Sequence, residues 1–110
     1  MVKNETVPFR NKADGWWGLR KIIAERKPFK NSTDSFRGAV GPAWWIGRLP
    51  ELWRKSATDE SVDYTIYSYS TPIAWHNSET GEWVSPPIKY SVTTSGHQGI
   101  VWAALSQLNK

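Results

Sequence analysis

The sequence contains no cysteine. That absence excludes disulfides, thiolate zinc sites and thiol nucleophiles, and it makes a reducing interior the natural compartment. Histidine is scarce as well. His76 and His97 stand alone, with no H-x-x-x-H spacing and no carboxylate cluster beside them, so no metal centre is expected. No stretch approaches the ~18 apolar residues of a membrane span, and Met1 to Arg10 is charged without an apolar run. The chain reads as cytosolic and unanchored. Nucleotide-cradling strings of the G-x-x-x-x-G-K or G-x-G-x-x-G type are absent, as is a G-x-S-x-G elbow. Asp59, Glu60, Asp63, Glu79 and Glu82 read as surface turn residues, not as paired catalytic carboxylates. The expectation is a protein that is not an enzyme and carries no cofactor.

What is present is aromatic and unevenly charged. At 110 residues the chain is the size of one domain with one core. Residues 1–55 hold twelve Lys/Arg against five Asp/Glu, and residues 56–110 hold two against five, so a basic half is joined to an acidic half. Such a division suggests one face that attracts phosphates or acidic protein, unless the halves neutralise each other in the fold. Eight tryptophans occur, four of them in the adjacent pairs Trp16-Trp17 and Trp44-Trp45. Neighbouring residues in a helix or strand point in different directions, so each pair offers a candidate surface indole.

Along the chain, Trp16, Leu19, Ile22 and Ile23 recur at helical spacing between a capping Asp14 and a terminating Pro28. Trp17 falls on the opposite, basic face with Lys21. Residues 28–47 carry Gly38, Gly41, Pro42 and Gly47 among Asn, Ser and Asp, which predicts a long loop bearing Arg37, Trp44 and Trp45. Pro50 opens a short helix through Lys55, with Leu49 and Trp53 on its buried side. Val62 to Ser70 is the strongest strand, and Pro72 makes Ile73 to His76 either its continuation past a kink or an edge segment. Asn77 to Gly81 reads as a hairpin turn, Glu82 to Val84 as the returning strand and Ile88 to Val92 as a third. From Ser95 onward His97, Val101, Ala104, Leu105 and Leu108 share one helical face. The expected fold is α+β: a three-stranded antiparallel meander packed by a C-terminal helix, with an N-terminal helix, a long loop and a short second helix.

Four strings carry a resemblance. Ser35-Phe36-Arg37-Gly38, Gly47-Arg48-Leu49-Pro50, Tyr67-Ser68-Tyr69-Ser70-Thr71-Pro72-Ile73-Ala74-Trp75 and Tyr90-Ser91-Val92-Thr93-Thr94-Ser95-Gly96-His97-Gln98 occur in this order. The chain thereby resembles a family of small uncharacterised proteins encoded by actinobacterial phages and mycobacterial genomes, over roughly Ile23 to Val101. It departs from that family by inserting Trp44-Trp45 before the Gly-Arg-Leu-Pro string. The resemblance implies a phage context, hence the cytoplasm of a bacterial host, and carries over no functional residue.

Two candidate sites follow from the residues. Trp17, Arg20, Lys21, Arg37, Trp44, Trp45 and Arg48 form a candidate macromolecule-binding set, because Trp, Tyr and Arg dominate the energy of protein interfaces. The expected partner is a host or phage protein, bound by a non-enzymatic accessory protein. Nucleic acid is the alternative, with Lys and Arg on phosphates and an indole stacked on a base. Lys89, Thr94, Ser95, Gly96 and His97, at an expected helix start, form a candidate anion site, since unpaired backbone N–H groups and the helix dipole favour an anion there. Helix capping by Thr94 or Ser95 explains the same residues without a ligand. His97 is expected to be a buried structural histidine and His76 to be exposed near the turn.

Overall fold

The computed structural model describes residues 7–8, 21–30, 35–88, 90 and 92–108. Its centre is the hairpin of β4 (Val62–Ser68) and β5 (Thr71–Asn77), formed from the segment densest in β-branched and aromatic residues. Tyr69 and Ser70 make the turn, with Tyr69 at φ 59°, the positive value a two-residue hairpin loop requires. Strand β6 (Glu82–Val84) returns along β5 through the Asn77 to Gly81 turn. There Asn77 Oδ1 accepts the N–H groups of Glu79 and Thr80 at 2.8 and 3.0 Å.

The expected three-stranded meander is incorrect. The sheet has six strands in chain order: β1 (Val7–Pro8), β2 (Phe29–Lys30) and β3 (Phe36–Val40) precede β4, with β2 to β6 antiparallel and β1 added parallel to β2. Two of these strands lie inside the segment read as a loop. Gly38 is the reason the local signal misled. It is no turn residue: a Cβ there would collide with Tyr64 Oη and come within 2.6 Å of the Phe29 ring, so glycine is what lets those rings cross β3. Pro72 lies in β5, a separate strand past the Tyr69-Ser70 turn and not a continuation of β4, on a stretch that has β4 alone as its neighbour. A bulge passes over Ile73 and sets Pro72 opposite Tyr67, while β6 pairs only with Trp75, His76 and Asn77. The missing N–H of Pro72 therefore interrupts no ladder to β6. Of the expected strand from Ile88 to Val92, the described residues Ile88 and Tyr90 are irregular and Val92 already opens a helix.

Helices cover both faces. A helical turn, α1, over residues 21–24 ends in paired 6→1 and 5→2 bonds, Lys27 N–H to Ile22 O and Arg26 N–H to Ile23 O, each 3.0 Å. Arg26 takes the left-handed conformation, φ 53°, that this ending demands. Asp14, Trp16 and Leu19, the expected start of that helix, lie outside the described residues. Helix α3 (Val92–Leu108) begins three residues before Ser95 and packs Val101, Ala104 and Leu105 against Phe29, Phe36, Ile66 and Ala74. On the other face α2 (Glu51–Thr58) packs Ala57 and Trp53 near Leu49, Val62 and Trp75. Trp75 is fully buried, and its indole N–H donates to Ser56 Oγ at 2.9 Å, satisfying the one polar atom it carries into the core.

Candidate functional site

Strand register decides which side chains reach the α2 face. Lys30 pairs with Arg37 and Arg37 with Tyr67, so these three project to one side, while the alternate residues Phe29, Phe36, Gly38 and Ile66 face α3. Gly41, at φ 98°, turns the chain back over β3, and Trp44 N–H donates to Tyr67 Oη at 3.0 Å, which fixes the two indoles beside the strand. The result is a groove of about 380 Å³ between β2, β3 and the Trp44-Trp45 segment, with Tyr67 at its side. Its size is at the low end for ligand pockets.

Arg37 and Trp45 are the centre of this groove. The guanidinium carbon lies 4.3 Å from the Trp45 ring centroid and 5.7 Å from that of Tyr67, and the Trp45 and Tyr67 rings meet edge-on at 5.6 Å. Arg37 Nε is buried without a hydrogen-bond acceptor. Trp44 is 83% exposed and Trp45 49%, so neither ring belongs to the core. Burial pushes the Tyr67 phenol above its ordinary pKa, partly offset by the Trp44 N–H and by Arg37, and the hydroxyl stays protonated.

Of the candidate macromolecule-binding residues, the structure brings Arg37, Trp44 and Trp45 together. Arg48 lies apart, its guanidinium 6.0 Å from the Tyr90 ring and its N–H donating to Thr71 Oγ1. Lys21 is exposed on α1, whose Ile23 packs on the α3 side of the sheet. Trp17 and Arg20 lie outside the described residues. Tyr67 and Lys30 complete the groove and were not in the expected set. Alternation in β4 signals the first, since Tyr64 and Tyr67, three apart in a strand, must face opposite sides.

The candidate anion site is displaced. Because α3 begins at Val92, Gly96 and His97 sit beyond the first-turn N–H groups that would hold an anion. Thr94 Oγ1 and His97 Nδ1 are both hydrogen-bonded to Ser68 Oγ, at 2.9 and 2.8 Å. Lys89 lies outside the described residues, and of Ser95 only the backbone is described. His97 stacks on Phe36, with centroids 4.6 Å apart and planes 5° from parallel, and desolvation lowers its pKa. The Ser68-His97 pair is not an accessible nucleophile: Ser68 is 1% exposed, and no carboxylate orients the ring among the described residues. His76, expected at the surface, is buried. Its Nδ1–H donates to Asp63 Oδ1 at 2.7 Å, because a bulge at Asp63 turns that carboxylate toward the ring.

Among the described residues no three His, Asp or Glu gather as a metal site, and no helix is long and apolar enough to cross a membrane. No curated protein and no solved structure matches the chain. A family model described as a family of unknown function, DUF8033, matches residues 19–102, which covers α1, β2 to β6 and most of α3. The chain belongs to this DUF8033 family.

Proposed function

We propose that this chain is a non-enzymatic accessory protein, of the phage type its sequence strings resemble, that docks on a host or phage protein in the bacterial cytoplasm through the Arg37-Trp45 groove. One observation carries this reading: a Trp, a second Trp, a Tyr and an Arg converge on one exposed groove, with the arginine held over an indole. These are the residue types that dominate protein interfaces, and an aromatic rim that is already fixed loses little entropy on binding.

Nucleic acid is the second reading, favoured by the exposed Trp44 ring and the basic first half of the sequence. The cations are against it. Arg26 pairs with Asp63 at 3.3 Å, Lys27 with Glu25 at 2.9 Å, and Arg54 donates to Leu49 O, so these three are already engaged within the protein. The test is affinity capture from host lysate with the wild type, Trp44→Ala and Trp45→Ala, beside titration of labelled single-stranded and duplex oligonucleotides at two salt concentrations. A defined partner lost from both variants, with no oligonucleotide binding at low salt, is the expected result. Micromolar oligonucleotide binding that weakens steeply with salt overturns it in favour of nucleic acid.

A further inference from the structure

We infer that the occupant of the groove is a short acidic peptide segment, whose Asp or Glu carboxylate seats on the Arg37 guanidinium while a neighbouring apolar side chain lies against Trp44 and Trp45. This rests on the protein-docking reading and adds the chemistry of the partner. The groove is a site of donors. Among the described residues its lining contains Lys30, Arg37 and two indoles, and no Asp or Glu. Ammonium, guanidinium and indole N–H groups donate and cannot accept. Among the described residues Arg37 has no ion pair, and its buried Nε has no acceptor. An orphaned buried donor is costly, and the groups that relieve it are acceptors. The walls between these donors are apolar: Ala39, Val40 and the indole faces.

Shape separates a carboxylate from a phosphate strand. Arg37 already occupies the Trp45 ring at 4.3 Å, so that face is closed to a stacking base. A guanidinium held in place there keeps its planar fork ordered, and a planar carboxylate matches that fork with two parallel hydrogen bonds. At about 380 Å³ the groove suits one acidic side chain with its apolar neighbour, not a run of nucleotides.

The experiment selects a displayed random-peptide library on the full chain, resynthesises the binders with fluorescein and titrates them by anisotropy. The selected peptides are expected to share an Asp or Glu beside an apolar residue. Replacing that Glu by Gln, or Asp by Asn, should weaken binding about tenfold or more, and Arg37→Lys should do the same by removing the fork. Circular dichroism checks that the variant is folded; if it is not, the peptide substitution decides alone. Binders without an acidic position, or an amide peptide that binds as tightly, overturn the carboxylate assignment. The docking reading survives that result when Trp44→Ala or Trp45→Ala still weakens the peptide. Selection of no peptide, or of peptides indifferent to both tryptophans, overturns the two together.

Discussion

Ser68 Oγ stands 2.8 Å from His97 Nδ1 and 2.9 Å from Thr94 Oγ1, and this one hydroxyl ties the end of β4 to the first turns of α3. Two of the strings that mark the sequence, one around Ser68 and one around His97, thus meet in the fold as a polar latch beside Phe36. The latch is buried at Ser68 and Thr94, so its hydrogen bonds cannot simply be replaced by water.

Ser68→Ala removes the shared partner and leaves two polar groups facing a methyl. A buried group left without a partner costs about 1–3 kcal/mol, reduced at His97 by its partial exposure and at Thr94 by its further interaction. The expected loss is about 1–3 kcal/mol in a urea denaturation series, with an unchanged m-value showing that the fold is retained. Ser68→Thr keeps the hydroxyl and should lose less than Ser68→Ala.

The same histidine gives the protein a pH dependence of known sign. Desolvation lowers the His97 pKa below its ordinary 6.5, so the unfolded chain takes up a proton that the folded chain resists. Stability from this group is full above about 6.5 and declines as pH falls toward the lowered folded value. Thermal melts at about pH 7.5 and about pH 5 should show a lower Tm in acid. In His97→Gln, which cannot titrate, that part of the slope should vanish. A wild-type Tm that rises on acidification would contradict the assignment.

Local chemistry was legible in the sequence and distant fit was not. Pro50 at the N-cap of α2, Leu49 and Trp53 on its inner side, and the Asn77 to Gly81 turn all depend on residues within a few positions of one another. Gly38 and His76 were misread because what defines them is remote. The neighbours of Gly38 are the Phe29 ring on β2 and the Tyr64 hydroxyl on β4, and the partner of His76 is thirteen residues away across a bulge. Of the candidate site, Arg37, Trp44 and Trp45 were readable as residue types. Their convergence required β3, which the surrounding Gly38, Gly41, Pro42 and Gly47 concealed.

Gly38→Ala tests whether that glycine is a packing requirement. The added methyl would overlap Tyr64 Oη and lie 2.6 Å from the Phe29 ring. Tyr64 is held in place by its O–H donating to Lys27 O at 2.7 Å, so it has little freedom to retreat. Overpacking of this kind costs about 1–3 kcal/mol, which a denaturation series resolves. Gly81→Ala, with open space around its Cβ but φ 73°, should cost about 1 kcal/mol from backbone strain alone.

Arg26 sets two small effects against each other. Its left-handed backbone at φ 53° is a position where glycine saves about 1 kcal/mol. Its ion pair with Asp63, 3.3 Å long between side chains 41% and 36% exposed, contributes about 0.2–1 kcal/mol after solvent screening. Arg26→Gly is therefore expected to leave stability unchanged or raise it by a few tenths of a kcal/mol. A loss beyond about 1 kcal/mol would show that Asp63, which also binds His76, depends on the guanidinium for its placement.

The two indoles of the groove should separate binding from stability. Trp44 is 83% exposed, and the bond that anchors its segment to Tyr67 comes from its backbone N–H. Trp44→Ala keeps that bond, so its effect on denaturation should stay within about 0.5 kcal/mol, as for other surface substitutions. Trp45 covers the Arg37 guanidinium and meets the Tyr67 ring edge-on at 5.6 Å, so Trp45→Ala removes a cation–π contact and an aromatic pair. These contribute about 0.5–1 and 0.5–1.5 kcal/mol, and the measured loss should be about 1–2 kcal/mol. If Trp44→Ala destabilises as much as Trp45→Ala, the ring is packed rather than presented, and its loss could no longer be read as the loss of a ligand contact.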